Sequence, residues 1–114
     1  MKTIVAENTE AEVKKWVKDV LHKYNVYYHM PVQTGIGAAG VDFHCVVKTV
    51  KGFPLGFFIE VKKFGKVPTD RQKLFIQERK EKQNARTFVI DGMVGVNKLE
   101  YWIEAITRST SENK

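Results

Sequence analysis

The stretch Leu55-Gly56-Phe57-Phe58-Ile59-Glu60-Val61-Lys62 determines how the rest of the sequence is interpreted. Its apolar run predicts a strand, and successive side chains of a strand point to opposite faces of the sheet. Glu60 and Lys62 are therefore expected on one face at the end of this strand, with Val61 packed behind them. Taken alone, the pair is compatible with a surface ion pair or with a site that binds a metal ion and an attacking water.

A second carboxylate is expected beside this pair. Residues 41–50 have the pattern of another strand, and Lys51-Gly52 supplies the turn of a hairpin. Asp42, at the start of this strand, should then lie across from the region of Glu60. The opposite face of the same strand is predicted to carry Phe43, Cys45 and Val47.

Two carboxylates and a lysine on one sheet face indicate a divalent cation, because uncompensated charges on a half-buried sheet are costly. Mg²⁺ usually takes one or two carboxylates together with waters and substrate phosphate. Asp42 and Glu60 would supply the carboxylates, and the backbone carbonyl of Val61 a neutral oxygen. Lys62 could orient or activate a water, or stabilise charge on a phosphate. The pattern predicts Mg²⁺- or Mn²⁺-dependent cleavage of phosphodiester bonds.

The composition suits one basic domain. The 114 residues carry a formal net charge of +6, which favours nucleic acid or an anionic surface as a partner. We expect a single domain over residues 1–114, with a core at about 9–107 and a polar tail at 109–114. Cys45 is the only cysteine, and no apolar run is long enough to cross a bilayer. These features predict an intracellular protein without a disulfide or a membrane anchor.

The coarse order of elements is helix, three strands, helix, strand, helix, which predicts a mixed sheet flanked by helices. The first helix should begin at Asn8 or Thr9 and end near Asn25. Thr69 and Gln72 match a capping box for the second helix, which should run to about Gln83. The remaining expectations are strands at 26–32, 55–62 and 86–91, a third helix capped by Asn97 and Glu100, burial of Leu74, Phe75 and Ile76, and an outer surface with Lys14, Lys15, Lys18 and Lys23.

Three motifs together resemble the PD-(D/E)XK nuclease superfamily, and more narrowly the small stand-alone VRR-NUC type of phages and bacteria: Gly40-Val41-Asp42-Phe43, Phe58-Ile59-Glu60-Val61-Lys62 and Pro68-Thr69-x-x-Gln72. The resemblance extends over most of residues 9–92 through Thr9-Glu10-x-x-Val13-Lys14, Tyr27-Tyr28-x-Met30-Pro31 and Val89-Ile90-Asp91-Gly92. Gly-Val precedes Asp42 where the name of the superfamily has a proline.

This resemblance implies an αβββαβ restriction-endonuclease-like core, followed here by a C-terminal helix. It also implies metal-dependent DNA cleavage, with Asp42 and Glu60 as metal ligands, Lys62 as a catalytic residue and Gln72 in the site. By the same resemblance we expect a homodimer that cuts branched DNA such as Holliday junctions, in the cytoplasm of a bacterium or a phage-infected host. Two twofold-related sites would suit paired cuts on a symmetric junction.

The resemblance further expects a glutamate from the first helix, and Glu7, Glu10 and Glu12 compete for that position. Glu10 shares its helical face with Val13 and Val17, which must face the sheet. We therefore place Glu10 at the metal, directly or through a water, with Glu12 as the alternative. Gln72 has a competing role too, because a capping-box residue can simply secure its own helix.

Basic residues follow the proposed site along the chain. Residues 62–86 contain nine Lys or Arg against three acids, which suits contacts to a phosphate backbone. The predicted DNA-binding residues are Lys63, Lys66, Arg71 and Lys73, with Gly37 of the glycine-rich loop 34–40 allowing close approach of a backbone. Two alternatives stay open: a non-catalytic DNA-binding module with a nuclease-like fold, and an unrelated basic protein with a chance Glu-x-Lys.

Overall fold

The computed structural model of the chain describes residues 9–31, 42–62, 70–82 and 86–108. Within these ranges the helices and strands follow one another in the predicted order, which confirms the α/β class. The elements are α1 (Glu10–Lys23), β1 (Tyr27–His29), β2 (Phe43–Lys48), β3 (Pro54–Val61), α2 (Asp70–Lys82), β4 (Arg86–Ile90) and α3 (Met93–Thr107).

The four described strands form one mixed sheet in the order β1-β2-β3-β4. β1 pairs antiparallel with β2, and β2 with β3 across a short turn, whereas β3 and β4 are parallel. A parallel pair needs a crossover, and α2 provides it. The hairpin register pairs Phe43 with Ile59, so the next position along places Asp42 beside Glu60. The mixed sheet and the predicted hairpin are therefore both present.

The core lies on one face of this sheet, between the strands and the pair of helices α1 and α3. Burial alternates strictly along β2, whereas the consecutive residues 59–61 at the end of β3 are all buried. Trp102 of α3 closes the far end, with its ring centroid 5.0 Å from those of Phe57 and Phe88. The core residues are Val13, Val17, Val20, Leu21, Val26, Phe43, Cys45, Val47, Phe57, Ile59, Val61, Phe88, Ile90, Val96, Leu99 and Ile103.

The first helix begins and ends where the sequence predicts. Thr9 is the N-cap, and its hydroxyl accepts a hydrogen bond from the Glu12 N–H while the Glu12 carboxylate accepts from the Thr9 N–H, both at 3.1 Å. This reciprocal pair satisfies two backbone donors that a helix start leaves open. At the other end, Asn25 adopts a left-handed φ of 58°, a conformation that asparagine tolerates better than most residues.

Several predicted details are wrong or shifted. β1 is only three residues long, although it is the edge strand that Pro31 suggested. Leu74 is 68% exposed rather than buried, because it lies about 200° around the helix from Gln72, which faces the sheet. The third helix begins at Met93, so Asn97 does not cap it and Gly92 takes that position. Thr69, Gln83 and the tail at 109–114 lie outside the described residues, as does the side chain of Phe75.

The turn between β2 and β3 depends on one glycine, because Gly52 has a left-handed φ of 95°. Nothing lies within 4 Å of a Cβ added there, so Gly52→Ala would test backbone strain alone. We expect it to lower the free energy of unfolding by about 1–2 kcal/mol, as measured by urea denaturation. Gly56→Ala is the matched control. Its Cβ would make only an ordinary 3.7 Å contact, so an equal loss in both variants would contradict this explanation.

Candidate active site

Asp42 anchors the site at the start of β2. Its Oδ2 accepts a hydrogen bond of 2.7 Å from the backbone N–H of Val61, which ties the aspartate to the end of β3. Its Oδ1 lies 3.4 Å from the Lys14 Nζ, and the Asp42 side chain is 15% exposed. The predicted meeting of Asp42 with the Glu60-Val61-Lys62 segment is therefore present in the structure.

Glu60 is the buried carboxylate of the site, with 6% exposure. It points away from the core side chains Ile59 and Val61, toward the face covered by α2. Its Oε2 accepts a hydrogen bond of 2.7 Å from the Gln72 Nε2. Its Oε1 is buried and has no hydrogen-bond partner among the described residues. A buried, unpartnered carboxylate oxygen is a costly arrangement for a purely structural residue.

The environment raises the pKa of Glu60 to about 7, chiefly through burial and secondly through the negative charge of Asp42. The positive charge of Lys62 and the hydrogen bond from Gln72 lower this pKa in part, and the charge of Glu10 raises it. Burial and a like charge both disfavour the ionised form of a carboxyl group. A cation placed between Asp42 and Glu60 would reverse both effects.

Lys62 and Gln72 are joined to Glu60 in a short chain of contacts. The Lys62 Nζ donates to the Gln72 Oε1 at 3.1 Å and lies 3.8 Å from the Glu60 Oε2. Gln72 therefore holds the carboxylate with its amide nitrogen and the ammonium with its amide oxygen. The backbone N–H of Lys62 donates to the Ile90 carbonyl at 2.9 Å, which fixes the strand end from β4. The Gln72 amide thus takes part in the site.

The two glutamates of α1 have different surroundings. The Glu12 carboxylate is occupied at the N-cap of its own helix, on the exposed surface. Glu10 is also exposed, but its charge acts on Glu60, as the pKa of Glu60 records. This difference favours Glu10 over Glu12 as the glutamate nearer the site.

Lys14 is a site residue that the sequence pattern does not predict, because the pattern places it on the outer surface of α1. Its side chain is only 33% exposed and points to Asp42. The available signal was the spacing: Lys14 follows Glu10 by four residues, so the two side chains share a helix face. If Glu10 lies on the face of α1 that is turned toward the site, Lys14 must lie on that face too.

The predicted DNA-binding residues are described only in part. Lys73 is exposed on α2, next to Gln72 in the sequence. Gly37, Lys63 and Lys66 lie outside the described residues, and so does the side chain of Arg71. Their role remains a prediction. The contact of Val61 with Asp42 is made by its N–H, and the proposed role of its carbonyl also remains a prediction.

The oxygen donors fit a hard divalent cation. Among the described residues no group of three His, Cys, Asp or Glu side chains gathers in a way that could hold a metal ion. Asp42 and Glu60 nevertheless supply two carboxylates, and Mg²⁺ typically needs no more because waters and phosphate complete its shell. The unpartnered Glu60 Oε1 is a donor suited to this role.

No protein-family model, curated protein or solved structure matches this chain. None of the helices in the described ranges combines the length and apolarity that a membrane span requires.

Proposed function

We propose that the protein is a metal-dependent DNA endonuclease of the PD-(D/E)XK type, with Asp42 and Glu60 as metal ligands. The observation that carries this proposal is the buried Glu60, with one unpartnered oxygen and Asp42 beside it. A divalent cation bound there would neutralise charge on a phosphate and lower the pKa of a bound water. The net charge of +6 suits a polyanionic substrate.

The roles of the other side chains follow from their contacts. Gln72 holds the Lys62 ammonium close to Glu60, so Lys62 is poised to orient a water or to stabilise charge developing on a phosphate oxygen. Glu10 adds a third carboxylate on the α1 side, at the metal directly or through a water. Lys63, Lys66, Arg71 and Lys73, with Gly37, would contact the DNA backbone beyond this centre.

A non-catalytic DNA-binding module is the second candidate, and the basic composition favours it equally. It leaves the acidic centre unexplained, however, because Asp42 and Glu60 would repel the phosphates that the module binds. The carboxylates, together with Lys62 held by Gln72, therefore favour the nuclease.

We further propose that the enzyme is a homodimer that prefers branched DNA. Two sites related by a twofold axis would cut two strands of a four-way junction symmetrically. The cleavage panel consists of single strand, duplex, flap and four-way junction, each with Mg²⁺ or Mn²⁺ and with EDTA as the blank. We expect metal-dependent cleavage that is fastest on the junction. Cleavage of linear duplex alone would contradict the junction preference, and no cleavage of any substrate would contradict the nuclease.

The variants Glu10→Gln and Glu12→Gln test which of the two glutamates of α1 acts at the metal site. We expect Glu10→Gln to slow cleavage about 10- to 100-fold, the usual effect of removing a group that supports a metal site. Glu12→Gln should leave the rate near the parental value, because glutamine also completes a capping box. Single-turnover cleavage at saturating Mn²⁺ measures both variants. A loss confined to Glu12→Gln would assign the site glutamate to Glu12 instead.

A further inference from the structure

In the described part of the chain, two lysines contact the acidic centre, and each is paired with a different carboxylate. Lys62 pairs with Glu60, and its ammonium also donates a hydrogen bond to Gln72. Lys14 forms an ion pair with Asp42, with 3.4 Å between its Nζ and the Asp42 Oδ1. Only the first of these lysines has a role in the proposed reaction. The Lys14–Asp42 pair therefore needs an explanation of its own.

The geometry of Asp42 limits what else can bind to it. Its Oδ2 already accepts a hydrogen bond from the Val61 N–H, so Oδ1 is the oxygen that faces the Lys14 ammonium. A divalent cation bound at Oδ1 would approach that ammonium closely. Two like charges so near one another repel strongly at a partly buried site, where solvent screening is weak. The ammonium and the metal therefore compete for one carboxylate oxygen.

We propose that Lys14 is an exchangeable counter-ion of Asp42, which a divalent cation must displace in order to bind. This inference rests on the metal site of the proposed function. In the metal-free protein the ammonium offsets the charge of Asp42, which would otherwise add to that of Glu60. On metal binding the side chain swings outward, which its partial exposure and its four flexible methylenes allow. Lys14 thereby lowers the affinity of the site for metal.

Calorimetric titration with Mn²⁺ in the absence of DNA tests the exchange. We expect Lys14→Gln to bind Mn²⁺ about 5- to 50-fold more tightly than the parent, because a nearby positive charge has been removed. Lys14→Arg keeps the positive charge and can pair at least as well with Asp42, so it should bind Mn²⁺ no more tightly than the parent. Lys15→Gln is the matched surface control, because Lys15 pairs with Asp19 away from the site. It should leave the affinity unchanged.

Thermal unfolding with and without Mn²⁺ provides a second readout and checks that each variant folds. The metal-free Lys14→Gln protein should melt below the parent, and saturating Mn²⁺ should raise its melting temperature by more than it raises that of the parent. Unchanged or weaker Mn²⁺ binding by folded Lys14→Gln would overturn the exchange. In that case the metal site would still stand, provided that Asp42→Asn abolishes binding. Binding that survives Asp42→Asn would overturn both the metal site and the exchange.

Discussion

Glu60→Gln is expected to abolish metal-dependent cleavage while making the metal-free protein more stable at about pH 8. Loss of a ligand carboxylate should reduce the cleavage rate by at least about 10³-fold, since one of the two charges that would hold the metal is gone. The stability gain follows from burial, because the folded protein no longer has to keep an ionised carboxylate away from water. Glutamine can still accept the hydrogen bond that Gln72 donates. A residue kept for packing alone would behave in the opposite way.

The pH dependence gives the sign of this effect. The pKa of Glu60 is raised to about 7 from an ordinary value of 4.5, so between these values the folded state binds a proton that the unfolded state does not. The free energy of unfolding should therefore fall as pH rises through this window and level off above it. The full shift corresponds to roughly 3 kcal/mol. Glu60→Gln should lose this dependence and exceed the parent by about that amount at about pH 8.

Urea denaturation in EDTA at about pH 5 and pH 8 measures the difference. Glu100→Gln is the matched control with the opposite sign. The hydrogen bond that the Lys23 ammonium donates lowers the pKa of Glu100, so this glutamate stabilises the fold at neutral pH and loses that effect as pH falls. Glu100→Gln should therefore be less stable than the parent at neutral pH, and the two should converge in acid. Equal stability of Glu60→Gln and the parent at both pH values would contradict the burial argument.

The sequence predicts the acidic centre well, because strand alternation and a short hairpin are local rules. Once residues 51–52 form the turn, the register leaves little freedom for Asp42 relative to Glu60. The same alternation predicts that Phe43, Cys45 and Val47 enter the core, as they do. Burial then raises the pKa of the Cys45 thiol to about 12, in keeping with a structural cysteine.

The details that the sequence does not predict depend on contacts between distant elements. Glu100 matches a capping box with Asn97, yet its carboxylate instead joins α3 to α1 through Lys23 and the Tyr24 hydroxyl, at 2.6 and 2.9 Å. The sequence predicts that Lys14 is exposed to solvent, because lysines of a surface helix usually are. Only the position of α1 over the strand ends shows that this lysine meets Asp42. The predicted burial of Leu74 is wrong for a related reason, since too few apolar residues lie on the inner face of α2 to identify that face from the sequence.

Lys62→Met should reduce single-turnover cleavage by about 10²- to 10⁴-fold and leave Mn²⁺ bound, which separates the role of the ammonium from that of the carboxylates. Methionine has nearly the same length, so the packing of this partly buried side chain is kept. Because the charge of Lys62 lowers the pKa of Glu60, its loss should also shift metal binding toward higher pH. Calorimetry across the range of about pH 6 to 8 would detect that shift.

Gln72→Ala tests whether the ammonium must be held in place as well as present. The variant keeps Lys62 but removes the amide that joins it to Glu60, and we expect about a tenfold lower rate with the metal still bound. Lys73→Ala, at the neighbouring exposed position, should instead weaken DNA binding and reduce its salt dependence. A parental cleavage rate in Lys62→Met would show that Lys62 takes no part in the reaction. Parental cleavage by Gln72→Ala alone would show that the ammonium acts without its tether.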